Sequence, residues 1–272
     1  MKIIEIREIR EKEKLSEINS VMNEIKNFLK LEEIEINNIK LIKDGESSVT
    51  YVGRLKEKKV VIKKFKENNL KLKFNRFFNN QLLAEITKKK LFPKIIYSDI
   101  KHKILIYEFF EVNSMKKNRL NFIKLVAQKI KDLHSIENKY EIINFSDQFC
   151  RYKEILNSDS NNHVLEKAKK LFNKLNTEEN VFSHNDLIPS NIIYRESEII
   201  FIDYEYSSMN NKLSDLARFI HTHNLNVDEI KFFLRSYGLN KTYKEIKEKL
   251  FEWILFNSYL DMIWTLVFTK KI

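Results

Sequence analysis

Between residues 181 and 206 the chain reads VFSHNDLIPSNIIYRESEIIFIDYEY, and this stretch constrains the fold more than any other. Ile192 to Tyr194 and Ile199 to Ile202 are apolar runs around a short polar turn, the pattern of a β-hairpin. Asp203 then stands just beyond the second strand, and the loop before the hairpin carries Asp186 and Asn191 to the same mouth. Phosphoryl transfer needs such a set: one carboxylate to orient and deprotonate a hydroxyl, and an amide with a second carboxylate to hold Mg2+. Taken singly, Asp and Asn before strands do no more than cap turns, and a lone His184 reads as a satisfied core histidine. Taken together, in this order and context, they point to catalysis.

Around that segment the texture of the chain changes once. Leu15, Ile18, Met22, Ile25 and Leu29 recur every three or four residues, so the spacing predicts an amphipathic helix from near residue 13 that packs onto its own domain. From 36 to 65 the runs INNIKLI, SVTYVGRL and KKVVIKKF predict an antiparallel meander. A Lys-rich helical stretch over about 70–90 follows, then Pro93 and a closing hairpin of KIIYSDI and KILIYEFF. After residue 112 the pattern is mainly helical, with Phe122, Val126, Ile130 and Leu133 on one face. The expected fold class is α+β and bilobal. Residues 1–110 form an N-terminal helix and β-rich lobe, residues 111–272 a helical lobe, and the boundary falls in EFFEVNSM.

At 272 residues and 43% hydrophobic, the chain is long enough for two cores. The single Cys150 can form no internal disulfide, and no apolar run approaches the roughly 20 residues that span a bilayer. The amino terminus puts acidic residues where a signal peptide needs an apolar run. These features fit a reducing, cytoplasmic setting with no membrane partner. The net charge of +11 is dispersed along the chain, as on a solvated surface, so no nucleic-acid partner is expected. The six histidines include no set with zinc-ligand spacing.

In protein kinases the catalytic loop is His-Arg-Asp with an Asn five residues after the Asp. His184, Asn185, Asp186 and Asn191 repeat that spacing with Asn in the middle position. His184 then orients the loop, since the aligned Asp supplies the base. HNDLIPSN followed by IDYEYSSMNNKLSDLARF resembles the choline and ethanolamine kinases, bacterial ones included, within the wider aminoglycoside phosphotransferase group and its protein-kinase-like fold. The resemblance implies transfer from ATP to the hydroxyl of choline or a similar amino alcohol. By it Asp186 is the base, Asn191 and Asp203 hold Mg2+, and Asp215 in SDLARF buttresses the catalytic loop. It also implies a nucleotide loop at KDGESSVTYVG, with Gly45, Ser47 and Ser48 toward the phosphates, although the glycine triplet of protein kinases is missing. Lys63, ending VVIK, becomes the ATP-phosphate ligand, Glu85 the acid that steadies it, and Glu108 to Phe110 the hinge that receives adenine. Lys64 rivals Lys63, because strand alternation sends the two to opposite faces and only one can face the nucleotide.

A quaternary ammonium is held by aromatic faces and a nearby carboxylate, each cation–π contact giving about 0.5–2 kcal/mol. The last helices offer Trp253, Phe256, Tyr259 and Trp264, with Asp261 among them. The resemblance adds Glu205 and Tyr206, and puts Trp264 on the first aromatic of the choline box, with Val267 where the second is expected. Such a stripe is equally what a helix core needs. Two other readings stay open. One is a phosphotransferase for an aminoglycoside, thiamine or amino sugar, which would use the same catalytic residues. The other is a non-catalytic pseudokinase that binds nucleic acid or a protein partner, against which Asp186, Asn191 and Asp203 stand together. The chain is expected to work as a monomer or homodimer.

Overall fold

The computed structural model describes residues 2–45, 47–66, 80–111, 118–137, 140, 142–156, 162–178, 180–195 and 198–269. The chain divides into two compact units, one of residues 1–69 with 94–109 and one of residues 70–93 with 110–272. The first is a sheet with one helix. β1 (Ile36–Asp44), β2 (Ser48–Leu55), β3 (Lys58–Phe65), β4 (Ile95–Asp99) and β5 (Ile104–Glu108) pair antiparallel in the order β1-β2-β3-β5-β4, the expected meander and closing hairpin. α1 (Lys2–Leu31) begins well before residue 13, because the segment ahead of it holds no Gly or Pro to stop a helix. Its Ile25, Phe28 and Leu29 bury against Tyr51, Val60, Ile62, Ile104 and Ile106, with Met22 partly buried beside them. Each such apolar side chain contributes about 1.5–3 kcal/mol by leaving water. The side chain of Leu15, expected on the same face, lies outside the described residues. At Gly53 a Cβ would stand 2.4 Å from Ile36 Cγ2, so only glycine lets β2 pass β1 where its register shifts beside Asn38 at φ +55°.

The second unit is mainly helical. It comprises α2 (Asn80–Lys88), α3 (Arg119–His134), α4 (Ser146–Leu156), α5 (Asn162–Leu175), α6 (Lys212–Thr222), α7 (Val227–Tyr237) and α8 (Tyr243–Thr269). Two short sheets are set among them, β6 (Asn180–Ser183) with β9 (Ser208–Asn211) and β7 (Ile192–Arg195) with β8 (Glu198–Phe201). Phe122, Val126, Ile130 and Leu133 of α3 are all buried, as their spacing predicts. A second cluster joins Phe145, Phe149, Phe172, Trp253 and Phe256, whose ring centroids lie 5.3 to 6.3 Å apart in tilted and edge-on pairs. No helix among the described residues is long and apolar enough to cross a membrane.

The grouping differs in one respect from the division at residue 110 expected from the sequence: residues 70–93 go with the second unit. Leu82, Leu83, Ile86, Leu91 and Phe92 are buried there, and the Leu91 carbonyl accepts from Phe201 N at 3.1 Å and from the Tyr204 hydroxyl at 2.9 Å. The β7–β8 hairpin is the one expected. The β6–β9 pair is not: Ser208, Asn210 and Asn211 are polar, which reads as loop, yet all three are buried.

Candidate active site

The loop from His184 to Asn191 leaves β6, and its main chain is fixed by one carboxylate. Asp215, fully buried in the first turn of α6, accepts from His184 N at 2.8 Å through Oδ2 and from Asn185 N at 2.7 Å through Oδ1. Asn185 turns through a left-handed conformation, φ +64°, and its side chain locks the turn to β9. Its Nδ2 donates to Ser208 Oγ at 2.8 Å and to the Tyr206 carbonyl at 2.9 Å, and its Oδ1 accepts from Asn210 Nδ2 at 2.8 Å. Ser208 and Asn210 of β9 are therefore satisfied by the loop they hold, while Asn211 Oδ1 caps α6 by accepting from Leu213 N at 2.9 Å. His134 of α3 adds a third bond to Asp215, Nε2 to Oδ2 at 3.1 Å. With that nitrogen donating to the carboxylate, Nδ1 is left to accept from the Tyr237 hydroxyl at 2.8 Å.

His184 is fully buried, and its Nε2 donates to the Ile202 carbonyl at 2.9 Å. Its Nδ1 is then an acceptor and receives Asp186 N at 3.3 Å. This geometry suits an orienting residue. Asn191 holds Asp186 in turn, since its Nδ2 donates to the Asp186 carbonyl at 2.9 Å and to Oδ2 at 2.8 Å. The Asn191 carbonyl accepts from Ile202 N at 3.0 Å, so both the loop histidine and the loop asparagine bind the residue just ahead of Asp203. Asp203 itself adopts φ +67° and ψ +51°, the left-handed region that asparagine and aspartate tolerate better than most residues. Among the described residues no group of three or more His, Cys, Asp and Glu could hold a metal alone. A magnesium site made of one Asp, one Asn and phosphate oxygens needs no such group, and Asn191 keeps its Oδ1 turned from Asp186, where it accepts from Ser190 Oγ at 3.3 Å.

Sequence reasoning passed over Arg218. Its Nη2 donates to Asp186 Oδ1 at 3.0 Å, and its Nη1 reaches both oxygens of Asp261 at 2.8 Å. Burial opposes the guanidinium charge, but the bonds to Asp261 and the charge of Asp186 outweigh it and hold the group above its ordinary value. A signal was present, because Arg218 follows Asp215 by three residues and so shares its helix face.

Beside this carboxylate lies an aromatic wall. The Tyr206 ring stands 4.5 Å from Trp264, edge-on at 68°, and Trp264 stands 6.2 Å from Tyr152. Burial pushes the Tyr206 phenol far up, and the charges of Glu205, Asp186 and Asp203 push it further. Three carboxylates thus act on one aromatic group. Glu205 is buried, and Tyr259 is half-buried on α8. Trp253, expected to face the acceptor, is instead an interior residue, fully buried against Phe172 and Phe256.

The nucleotide residues expected in the sheet unit are settled locally. Lys64 Nζ is tied to Glu24 at 2.9 Å and to the His102 carbonyl at 2.7 Å, while Lys63, on the opposite face of β3, is buried with its ammonium 5.2 Å from the Phe65 ring. In the β1–β2 turn the Gly45 amide donates to the Ser48 carbonyl at 3.0 Å rather than standing open for a phosphate. The Ser47 carbonyl accepts from Lys66 N at 2.9 Å, and Ser48 is buried. Glu108 N donates to the Lys94 carbonyl at 3.0 Å and Phe109 N to that of Lys59 at 3.2 Å. In the helical unit, Glu85 accepts from the Tyr140 hydroxyl and Phe110 lies 5.6 Å under the Arg195 guanidinium.

Fold and site together define a kinase-like phosphotransferase. The choline kinase LicA from Streptococcus pneumoniae matches 91% of this chain and 90% of its own with a TM-score of 0.72 at 19% identity. The ADP-bound aminoglycoside phosphotransferase APH(2'')-Ib matches 90% and 88% with a TM-score of 0.62 at 17% identity. The chain belongs to the choline/ethanolamine kinase family, which it matches over residues 4–265. A LicA homolog from Mycoplasma capricolum is 30% identical over 199 residues, which cover 72% of this chain and 80% of that one. The protein is accordingly a kinase that moves phosphate to an alcohol.

Proposed function

We propose that this protein transfers the γ-phosphate of ATP to the hydroxyl of choline or a related amino alcohol, with Asp186 as the base. The observation that carries this reading is the Tyr206–Trp264 pair at 4.5 Å, tied to the loop of Asp186 by the bond from Asn185 Nδ2 to the Tyr206 carbonyl at 2.9 Å and following directly on the buried Glu205. An ammonium group is recognised by aromatic faces and negative charge, and here both stand next to a carboxylate suited to receive a hydroxyl proton. The Streptococcus pneumoniae neighbour being a choline kinase, and the aminoglycoside phosphotransferase holding ADP, support the acceptor class and the nucleotide.

Asp186 accepts the hydroxyl proton as the acceptor oxygen attacks the γ-phosphorus and the bond to the bridging oxygen breaks, releasing ADP. Arg218 and Asn191 each hold one oxygen of Asp186, so the carboxylate is oriented before the acceptor arrives. Asn191 and Asp203 would hold Mg2+, which supplies charge neutralisation on the phosphates. Lys63 is the side chain proposed for the nucleotide phosphates, because it ends the VVIK run and lies on the face of β3 opposite Lys64. The test is Mg2+-dependent ATP consumption with choline, ethanolamine, thiamine and kanamycin in parallel, with Asp186→Ala as the blank. Turnover with choline or ethanolamine that disappears in the variant is expected. Turnover confined to thiamine or kanamycin overturns the acceptor, and turnover surviving in Asp186→Ala overturns the base.

A further inference from the structure

A cavity of about 350 Å3 in the helical unit has no part in the chemistry above. Four lysines line it, Lys131 on α3, Lys212 at the first residue of α6, Lys241 ahead of α8 and Lys249 within it, against one lining carboxylate, Glu178. Glu178 is shared among three of them, with Lys241 at 3.3 Å, Lys212 at 3.5 Å and Lys249 at 3.9 Å. Burial raises the Glu178 carboxyl, but Lys241 and Lys212 outweigh it and hold the group below its ordinary value. Four ammonium charges against one carboxylate leave a surplus of three positive charges among the lining residues. On the fourth side the chain turns at Gly238 with φ +85°, and a Cβ there would meet Lys131 Nζ at 3.0 Å, so glycine leaves that ammonium room at the wall.

The same walls lead to the catalytic loop. Tyr237 lines the cavity and bonds His134, His134 bonds Asp215, and Asp215 holds the amides of His184 and Asn185, the two residues before Asp186. Lys131 precedes His134 by three residues on α3, and Lys212 precedes Asp215 by three on α6. Two lysines that would grip an occupant therefore share a helix face with the two side chains that fix the loop.

We propose that this cavity is a binding site for a compact soluble anion carrying two or more phosphate groups, and that its occupancy is felt at the catalytic loop through Tyr237, His134 and Asp215. A concave site with surplus ammonium charge selects multiply charged phosphate groups over single ones, since each added charge finds its own lysine.

The probe is inorganic pyrophosphate, titrated by calorimetry into the full chain with its nucleotide site filled by excess Mg2+ and ADP, with inorganic phosphate as the single-phosphate control. One pyrophosphate is expected to bind under these conditions, at least about tenfold more tightly than phosphate. Lys212→Ala with Lys249→Ala should weaken it at least about tenfold. Glu178→Gln removes the competing carboxylate and should tighten it, a change in the opposite direction that general destabilisation cannot produce. Tyr237→Phe should keep the binding but remove the effect of pyrophosphate on kcat at saturating ATP. A second ADP bound per chain, lost in the double lysine variant, identifies a nucleotide as the source of the phosphates. Equal affinity in wild type and the double variant, no pyrophosphate bound while only one ADP is bound per chain, or phosphate binding as tightly as pyrophosphate overturns the site. Binding that leaves kcat unchanged overturns the coupling.

Discussion

Replacing Arg218 by Leu tests how far the proposed base depends on a neighbour that does no chemistry. The guanidinium gives Asp186 a charge-assisted hydrogen bond at 3.0 Å between side chains only 12% and 17% exposed. Such a bond contributes about 1.5–3 kcal/mol. Its other arm, at 2.8 Å to Asp261, ends on a carboxylate that is 52% exposed, where solvent screening leaves about 1 kcal/mol or less. Arg218→Leu therefore leaves the Asp186 carboxylate with its bond from Asn191 and without its guanidinium partner. The expected loss in kcat/KM for the amino alcohol is about 10- to 100-fold, with the KM for ATP little changed. Arg218→Lys supplies the charge without the planar fork that bridges two carboxylates, so it should recover part of the loss. Asp261→Asn, which spares the bond to Asp186, should cost less than about fivefold. The assay is steady-state ADP release with choline as acceptor, alongside thermal unfolding of each variant. An Arg218→Leu protein that melts lower but keeps its full kcat/KM would refute the reasoning, because Arg218 would then be a structural clamp alone. So would an Asp261→Asn protein more impaired than Arg218→Leu.

Trp264→Ala should raise the KM for the amino alcohol several-fold with a small change in melting temperature, whereas Trp253→Ala should cost about 3–5 kcal/mol of stability by opening a cavity in the aromatic core. The reverse pattern would exchange their roles. Asp215→Ala strands the buried His184 amide, the half-buried Asn185 amide and His134, so about 3 kcal/mol or more of stability should go together with turnover, read by denaturant unfolding. Burial lowers His223 from 6.5 to about 4. The folded state then favours the neutral ring, so its stabilisation is complete above about pH 6.5 and is lost as pH falls toward 4, amounting to at most about 3 kcal/mol. Melting curves across that window should fall less steeply in His223→Phe; an unchanged slope would assign the acid sensitivity elsewhere. Tyr152 and Tyr206 have phenols raised by burial, so their contribution is complete below about pH 10 and is lost as the solution grows more alkaline.

The loop proposed as catalytic stood out in the sequence because its groups lie close together and their order repeats a known spacing. The sheet unit was legible because β-branched runs alternate between turns, and its five strands fall where those runs are. β9 was not, since a strand of buried Ser and Asn carries no apolar alternation; its side chains are paid for by hydrogen bonds to Asn185 that no local pattern announces. Trp253 and Trp264 show the limit of helical periodicity. Eleven residues apart, they lie on nearly one face of α8, yet about 16 Å of rise separates an aromatic core from the neighbourhood of Tyr206. Which neighbour a face meets depends on distance along the axis, and periodicity reports only direction. Lys63 and Lys64 were separable in principle by alternation, but the side that each faces became clear only from the partners of Lys64.

The attachment of the His184–Asn191 loop to Asp215 also sets an order of assembly. The two amides that fix the loop wait for a carboxylate that comes about thirty residues later in the chain, and the histidine steadying that carboxylate waits for Tyr237, later still. During synthesis from the amino terminus, the loop that bears Asp186 is thus made before the carboxylate that fixes its first two amides. A nascent chain that ends before α7 carries every proposed catalytic residue of the loop and lacks the last anchor of its buttress. In the finished protein the same dependence makes the His184 and Asn185 amide protons reporters of α6 docking, expected to exchange with solvent only when that helix lifts.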